Sequence, residues 1–355
     1  MRVPRATIDG SALRHNLSVV RRLAPASRVM AIIKANGYGH GLVATAQALS
    51  GADAFGVARL EEGLVLRAAQ IDAKTVLLEG VFNADELAAA ARERFDIVVH
   101  TFEQIALLEA SSQASQFHVW VKLDTGMNRL GFRPEDFAAA WERLQRAKPR
   151  SLRLMTHLAA AEARDKSMTL EQIARFDELT QGIDVERSIA NSAGITLWDD
   201  ARVDWVRPGL MLYGISPIPN VAAADLDLRP AMTLSTQLIS VRRVPIGESV
   251  GYNGIWSASR NSSIGIAAVG YGDGYPRNMR SGTPVLVNGE EAVIVGRVSM
   301  DMIAIDITDI DGKVGDSVTL WGEGLPAERI APYADTIAYE LVCGISQRVF
   351  VDWKS

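Results

Sequence analysis

The sequence predicts a (β/α)8 barrel followed by a smaller, mainly-β domain. Up to about residue 228, short apolar runs alternate with longer amphipathic stretches. Those runs are almost continuously apolar, as parallel strands covered by helices on both faces require. Beyond residue 228 the helical period vanishes and strand-like runs follow one another.

Eight runs qualify as barrel strands: VMAIIK, AFGVA, TVLLEG, DIVVH, FHVWVKLD, LRLMTH, VERSIANS and WVRPGLMLYG. Between them, stretches such as LVATAQAL, LEEGLVLRAAQ, ADELAAAARER, FEQIALLEA, PEDFAAAWERLQRA and LEQIARFDELTQG repeat apolar residues at three- and four-residue spacing. Eight strand–helix units of about 25 residues favour a closed barrel, with an open doubly wound sheet as the competing arrangement. After LDLRPAMTLSTQLISVRRV come the β-rich segments SSIGIAAVGYGDG, TPVLVNGEEAVIVGRVSM, DMIAIDIT and DSVTLWG. Asn288-Gly289 between two apolar runs is a hairpin signal. The expected division is residues 1–228 for the barrel and 229–355 for the β domain.

Composition narrows the partners. The chain has 355 residues, 48% apolar and 22% charged, enough to bury a large core. A net charge of −5 without a basic block argues against nucleic acid or an anionic membrane surface. The single cysteine, Cys343, fits a reducing compartment. The stretch MRVPRATIDGSALRHN has no signal-peptide apolar core, and no run approaches the ~18 apolar residues of a membrane span. A cytoplasmic protein is expected. No metal ligands are assigned.

In a parallel barrel, chemistry sits where strands end. Lys34 ends the run MAIIK and opens into ANGYGHG, where Gly37, Gly39 and Gly41 let backbone approach a ligand closely. A lone lysine at a strand end is ordinarily a solvated charge. In an apolar mouth, however, its pKa falls, which suits Schiff-base chemistry with a carbonyl cofactor. Tyr38 adds a hydroxyl for an anion. Neither a Walker spacing nor a clean GxGxxG is present.

IIKANGYGHG resembles the cofactor-lysine signature of the alanine racemases, pyridoxal 5'-phosphate (PLP) enzymes built from a barrel and a β domain. VKLDTGMNRLGF, MTHLA, ANSAG, VRPGLMLYG, VGYNGIW, GYGDGYPR, GRVSMDM and IAYELVCGI resemble that family's landmarks in the same order, from residue 34 to 345. One such motif is weak; this many in order are specific.

The resemblance implies an isomerase interconverting L- and D-alanine by a two-base mechanism. Lys34 would hold PLP and move the Cα proton on one face. Tyr252, from the partner subunit's β domain, would act on the other. A tyrosine, with a pKa of about 10, becomes a base only beside a cationic or hydrogen-bonding neighbour. His157 is that neighbour by resemblance. Arg207 would face the pyridine nitrogen and, being a donor only, weaken the electron sink and restrain transamination. Tyr38, Ser192, Gly209, Leu210 and Tyr339 match the phosphate contacts. Arg129 would bind the substrate carboxylate and the ring hydroxyl. Lys122 matches a lysine carbamylated in many members, which would hold Arg129. Met300 and Asp301 resemble the partner-subunit wall near the substrate carboxylate, and Tyr271 an entrance residue. Placing Lys34 and Tyr252 on different subunits implies a homodimer with shared sites. A narrow mouth favours alanine, with slower serine turnover, since apolar pockets reject one extra hydroxyl weakly. The product would supply peptidoglycan synthesis, or the enzyme would serve alanine catabolism.

Three departures bear on specificity: Gly37 where the family usually has alanine, HLAAAEARDK after His157, and the tail CGISQRVFVDW. A PLP decarboxylase of the same architecture usually carries a catalytic cysteine and an acidic partner for the pyridine nitrogen, where this chain has Arg207. A non-catalytic PLP-binding barrel lacks the β domain. A racemase for serine or basic amino acids, often exported, is the remaining alternative.

Overall fold

The computed structural model describes residues 4–354; the first three residues of the N-terminal stretch and Ser355 lie outside it. Eight parallel strands close a barrel: β2 (Arg28–Ile32), β3 (Ala54–Val57), β4 (Thr75–Leu77), β5 (Asp96–Val99), β6 (His118–Lys122), β7 (Ser151–Met155), β8 (Arg187–Ser188) and β9 (Trp205–Val206). Closure comes from β9 pairing with β2, Trp205 opposite Arg28 and Val206 opposite Val29. Burial on both faces explains their continuous apolar character: all four residues of β3 and of β5 are buried. The runs VERSIANS and WVRPGLMLYG yield only two strand residues each. The chain then turns into the helix Ser192–Leu197 and the 3-10 turn Leu210–Tyr213.

The N-terminal end of the barrel is plugged by charge. Buried Arg153 donates to Asp96 at 3.1 Å and to Glu186 at 2.7 Å. The Trp205 indole donates to Glu186 at 2.9 Å. Ligand access is thereby left to the opposite end, where strand-to-helix loops converge.

Before the barrel runs β1 (Arg5–Asp9), and after it β10 (Met232–Val244), β11 (Ser249–Val250), β12 (Trp256–Ser257), β13 (Ser262–Ala267), β14 (Pro284–Val287), β15 (Glu290–Val295), β16 (Ile303–Asp306), β17 (Ser317–Trp321) and β18 (Phe350–Lys354). Eight of them form one sheet in the order β13-β16-β15-β14-β17-β10-β1-β18, with β10 also pairing β13. A register shift between Leu238 and Ser240 marks the bend at which β10 passes from pairing β17 to pairing β13. Asn288 (φ 50°) and Gly289 (φ 89°) join β14 to β15, with Val287 opposite Glu290, as a two-residue hairpin requires. Strand β1 departs from a simple division at residue 228. It lies between β10 and β18, burying Ala6 and Ile8 in the second domain.

No helix among the described residues is long and apolar enough to cross a membrane.

Candidate active site

Strand β2 delivers Lys34 to the open end of the barrel, and the chain then does something uncommon. Ala35, Asn36, Gly37 and Tyr38 have φ of 54°, 55°, 62° and 51°, one turn of left-handed helix. For the three residues with a Cβ this costs roughly 1–2 kcal/mol each. The surroundings offset it. The Glu62 carboxylate accepts the N–H groups of Ala35 and Ala58, both at 2.7 Å. The Asn36 side chain accepts the Leu42 N–H at 2.9 Å, and His40 lies against the carbonyls of Gly37 and Tyr38. As a result Lys34 and Tyr38 line the same cavity, of about 590 Å3.

The glycines of this loop have separate reasons. A Cβ on Gly39 would stand 2.0 Å from the Val342 carbonyl oxygen, because the helix Ala338–Cys343 of the β domain rests on it. That contact brings Tyr339 and Cys343 into the cavity wall. A Cβ on Gly37 would stand 2.7 Å from the Thr45 hydroxyl oxygen, so Thr45 fills the space an alanine methyl would take.

Lys34, Lys122, Arg129 and Arg207 all line this cavity, and among the described residues no carboxylate forms an ion pair with any of them. Burial, then the Arg129 charge, lowers the pKa of Lys34. Burial and the charges of Arg207, Arg129 and Lys34 bring Lys122 down to about 8. Such a mouth favours anions. Arg207 is buried and rigid: it donates to the Ser188 hydroxyl at 2.6 Å, to the Thr156 carbonyl at 2.5 Å and to the Ile189 carbonyl at 3.3 Å. Burial brings it down to about 10, still a cation at neutral pH.

At one side of the cavity the bulk disappears. A Cβ on Gly209 would meet the Tyr38 hydroxyl at 2.7 Å, so only glycine leaves this cradle open. The Ser192 hydroxyl oxygen accepts the N–H groups of Gly209 (2.9 Å) and Met211 (3.4 Å), which leaves its own proton free to donate outward. Buried Leu210 opens a 3-10 turn whose first N–H groups have no acceptor within the turn. Hydroxyl and N–H donors around a glycine gap, beside a lysine and unpaired cations, fit a phosphorylated aldehyde such as PLP.

Of the residues singled out from the sequence, Lys34, Tyr38, Lys122, Arg129, His157, Ser192, Arg207, Gly209 and Tyr339 gather here. Tyr252, Tyr271, Met300 and Asp301 do not. They lie on the β domain, with Tyr252 67%, Met300 53% and Tyr271 39% exposed, and Asp301 accepts from Arg348 at 2.7 Å. The sequence reading missed Glu62, which looks like an ordinary glutamate on a helix surface and carries no local signal. It also missed Thr156, whose carbonyl holds Arg207.

Fold and site together define a barrel enzyme whose mouth would fit a phosphorylated carbonyl cofactor beside a lysine amine. Family models described as the alanine racemase N-terminal and C-terminal domains match residues 8–217 and 231–352. The alanine racemase of Shewanella loihica is 49% identical over 353 residues, covering 98% of each chain. The biosynthetic alanine racemase from Pseudomonas aeruginosa superposes with a TM-score of 0.97 at 44% identity, over 100% of both chains. That from Bartonella henselae, with covalently bound pyridoxal phosphate, gives 0.89 at 29% identity over 100% of both. The chain belongs to the alanine racemase family, and its reaction is the PLP-dependent racemisation of alanine.

Proposed function

We propose that Lys34 carries PLP and serves as one of two acid–base groups, the other being Tyr252 of the partner subunit in a homodimer. The observation that carries the reading is Lys34 itself: a partly buried amine with a lowered pKa, in a cavity of unpaired cations. When bound, PLP withdraws electrons from the substrate and acidifies its Cα–H. A neutral Lys34 amine accepts that proton on one face and returns it. Tyr252, exposed on the β domain and outside its own chain's cavity lining, supplies the second face across a two-fold interface. Exposed Tyr271 and Met300, with Asp301, form the partner's wall and entrance, Met300 nearest the substrate carboxylate.

Tyr38, the Ser192 hydroxyl, the Leu210 N–H and Tyr339 hold the phosphate, while Gly209 contributes its missing side chain, since its N–H is engaged by Ser192. Arg129 binds the substrate carboxylate and the ring hydroxyl. Lys122, carbamylated, holds Arg129 in place. Arg207 presents only donors to the ring nitrogen, and His157, which accepts from Arg207 at 3.4 Å, is the neighbour that lets the partner's Tyr252 act as a base. The division at residue 228 separates the barrel, which supplies most of the cofactor's contacts, from a β domain that takes in β1 from the N-terminal part and adds Tyr339 as well as the groups that complete the partner's site. Alanine is preferred over serine by size. Supply of D-alanine for peptidoglycan is the favoured role, supported by the Pseudomonas neighbour's description as biosynthetic.

The test follows optical rotation of L-alanine with PLP-loaded protein beside Lys34→Ala. Complete loss in the variant is expected, and retained racemisation overturns the assignment. Tyr252→Phe slows isotope exchange from one enantiomer more than the other; equal, small effects remove it. Arg207→Glu raises transamination, and an unchanged level removes its restraining role.

A further inference from the structure

His40 is fully buried, 0% exposed, and lies outside the acid–base chemistry assigned above. Its Nδ1 stands 2.9 Å from the Tyr38 carbonyl oxygen and 3.1 Å from that of Gly37. A carbonyl oxygen only accepts, so Nδ1 carries the hydrogen and donates to both. Nε2 is then a buried acceptor, without a partner among the described residues. Burial favours this neutral ring. The imidazole packs on the Tyr213 ring at 4.6 Å between centroids, and Tyr213 stacks on Tyr38 at 4.7 Å. The Tyr213 hydroxyl in turn donates to the carbonyl of Ile32, where β2 ends, at 3.0 Å. His40 therefore reaches Tyr38 twice, through its carbonyl and through the ring beneath it.

We propose that His40 is a positioning residue for the phosphate end of the cofactor. By donating to two carbonyls it locks the left-handed turn. Through Tyr213 it sets the Tyr38 ring so that its hydroxyl borders the gap at Gly209. This rests on the reading that Tyr38 binds the phosphate.

The test titrates the full chain, stripped of cofactor, with PLP and with pyridoxal, which lacks the phosphate, by absorbance. His40→Phe keeps a ring and loses the donor. It is expected to weaken PLP about tenfold while pyridoxal changes less than about twofold. His40→Asn, whose amide keeps a donor near Nδ1, recovers part of that selectivity. Equal weakening of both ligands, or none, overturns the proposal. Tyr213→Leu removes the ring between His40 and Tyr38 while leaving the His40 donor and its two carbonyl acceptors in the chain, and gives the same selective loss. If His40→Phe fails to fold, wild-type selectivity in Tyr213→Leu overturns the proposal. Tyr38→Phe is run alongside. If it leaves selectivity unchanged, the phosphate reading itself falls. If it abolishes selectivity while the His40 variants retain it, only the role of His40 falls.

Discussion

Nη2 of Arg207 lies 3.4 Å from Nδ1 of His157. A guanidinium only donates, so Nδ1 accepts, and the hydrogen of the neutral imidazole sits on Nε2. Burial first, and then the Arg207 charge, holds His157 well below the ordinary histidine range. Arg207→Met removes that charge. The His157 midpoint then rises, read from imidazole nitrogen shifts in a pH titration. An unmoved midpoint would mean that Arg207 does not control this ring.

The Gly37–Thr45 contact predicts a coupled pair. Gly37→Ala alone drives a methyl against the Thr45 hydroxyl at a positive φ, and costs about 1–3 kcal/mol. The Thr45 hydroxyl is buried without a partner among the described residues, so Thr45→Ala makes room and loses no hydrogen bond seen there. The double variant recovers most of the loss in urea denaturation. Strict additivity in that cycle would show that the two side chains do not compete for one space.

Acid weakens the fold through its histidines. Burial lowers His40 to about 4 and His118 to about 4, and it lowers His100 and His157 as well. Below pH ~6.5 the unfolded chain binds protons that these folded rings refuse, so stability falls as pH drops from about 6.5 toward 4. Asp96, raised to about 6 by burial, acts in the opposite direction: it favours the fold at low pH and loses that contribution as pH rises from its ordinary value through 6. Glu328, also raised by burial, acts in the same direction as Asp96, and four rings outweigh the two carboxyls. The urea midpoint is therefore lower at pH 5 than at pH 7, and an equal or higher midpoint contradicts the assignment.

A lysine pulled down to about 8 is half neutral at that pH, and a neutral amine adds carbon dioxide to give a carbamate and a proton. Protein equilibrated with 13C-bicarbonate is expected to show one carbamate resonance that Lys122→Ala lacks. A resonance that persists in the variant places the modification elsewhere.

How much of this was legible in the sequence depends on how far a signal reaches. The place of Lys34 followed from one apolar run and its glycines, and the hairpin at Asn288-Gly289 from two adjacent residues. Both are local. Gly39 reads as loop flexibility, but its reason is the Val342 carbonyl, some 300 residues away in the chain. Nothing in Ala35 announces a positive φ; Glu62 and His40 help impose it from outside the turn. The RATID segment could as well have begun the barrel. Only its pairing with β10 and β18 assigns it elsewhere.

That pairing bears on how the molecule is made. Arg5 lies opposite Phe350, and its guanidinium bonds Asp352 at 2.6 Å across a sequence separation of 347. On the ribosome, β1 emerges before the barrel and waits with both edges unsatisfied until β10 follows, then with one edge open while most of the second domain is translated. Only when residues 350–354 leave the exit tunnel does its second neighbour arrive. Contacts of such separation form slowly, and an open edge meanwhile invites pairing with other nascent chains. Synthesis that stalls shortly before residue 350 would release a chain with a complete barrel and an adhesive strand.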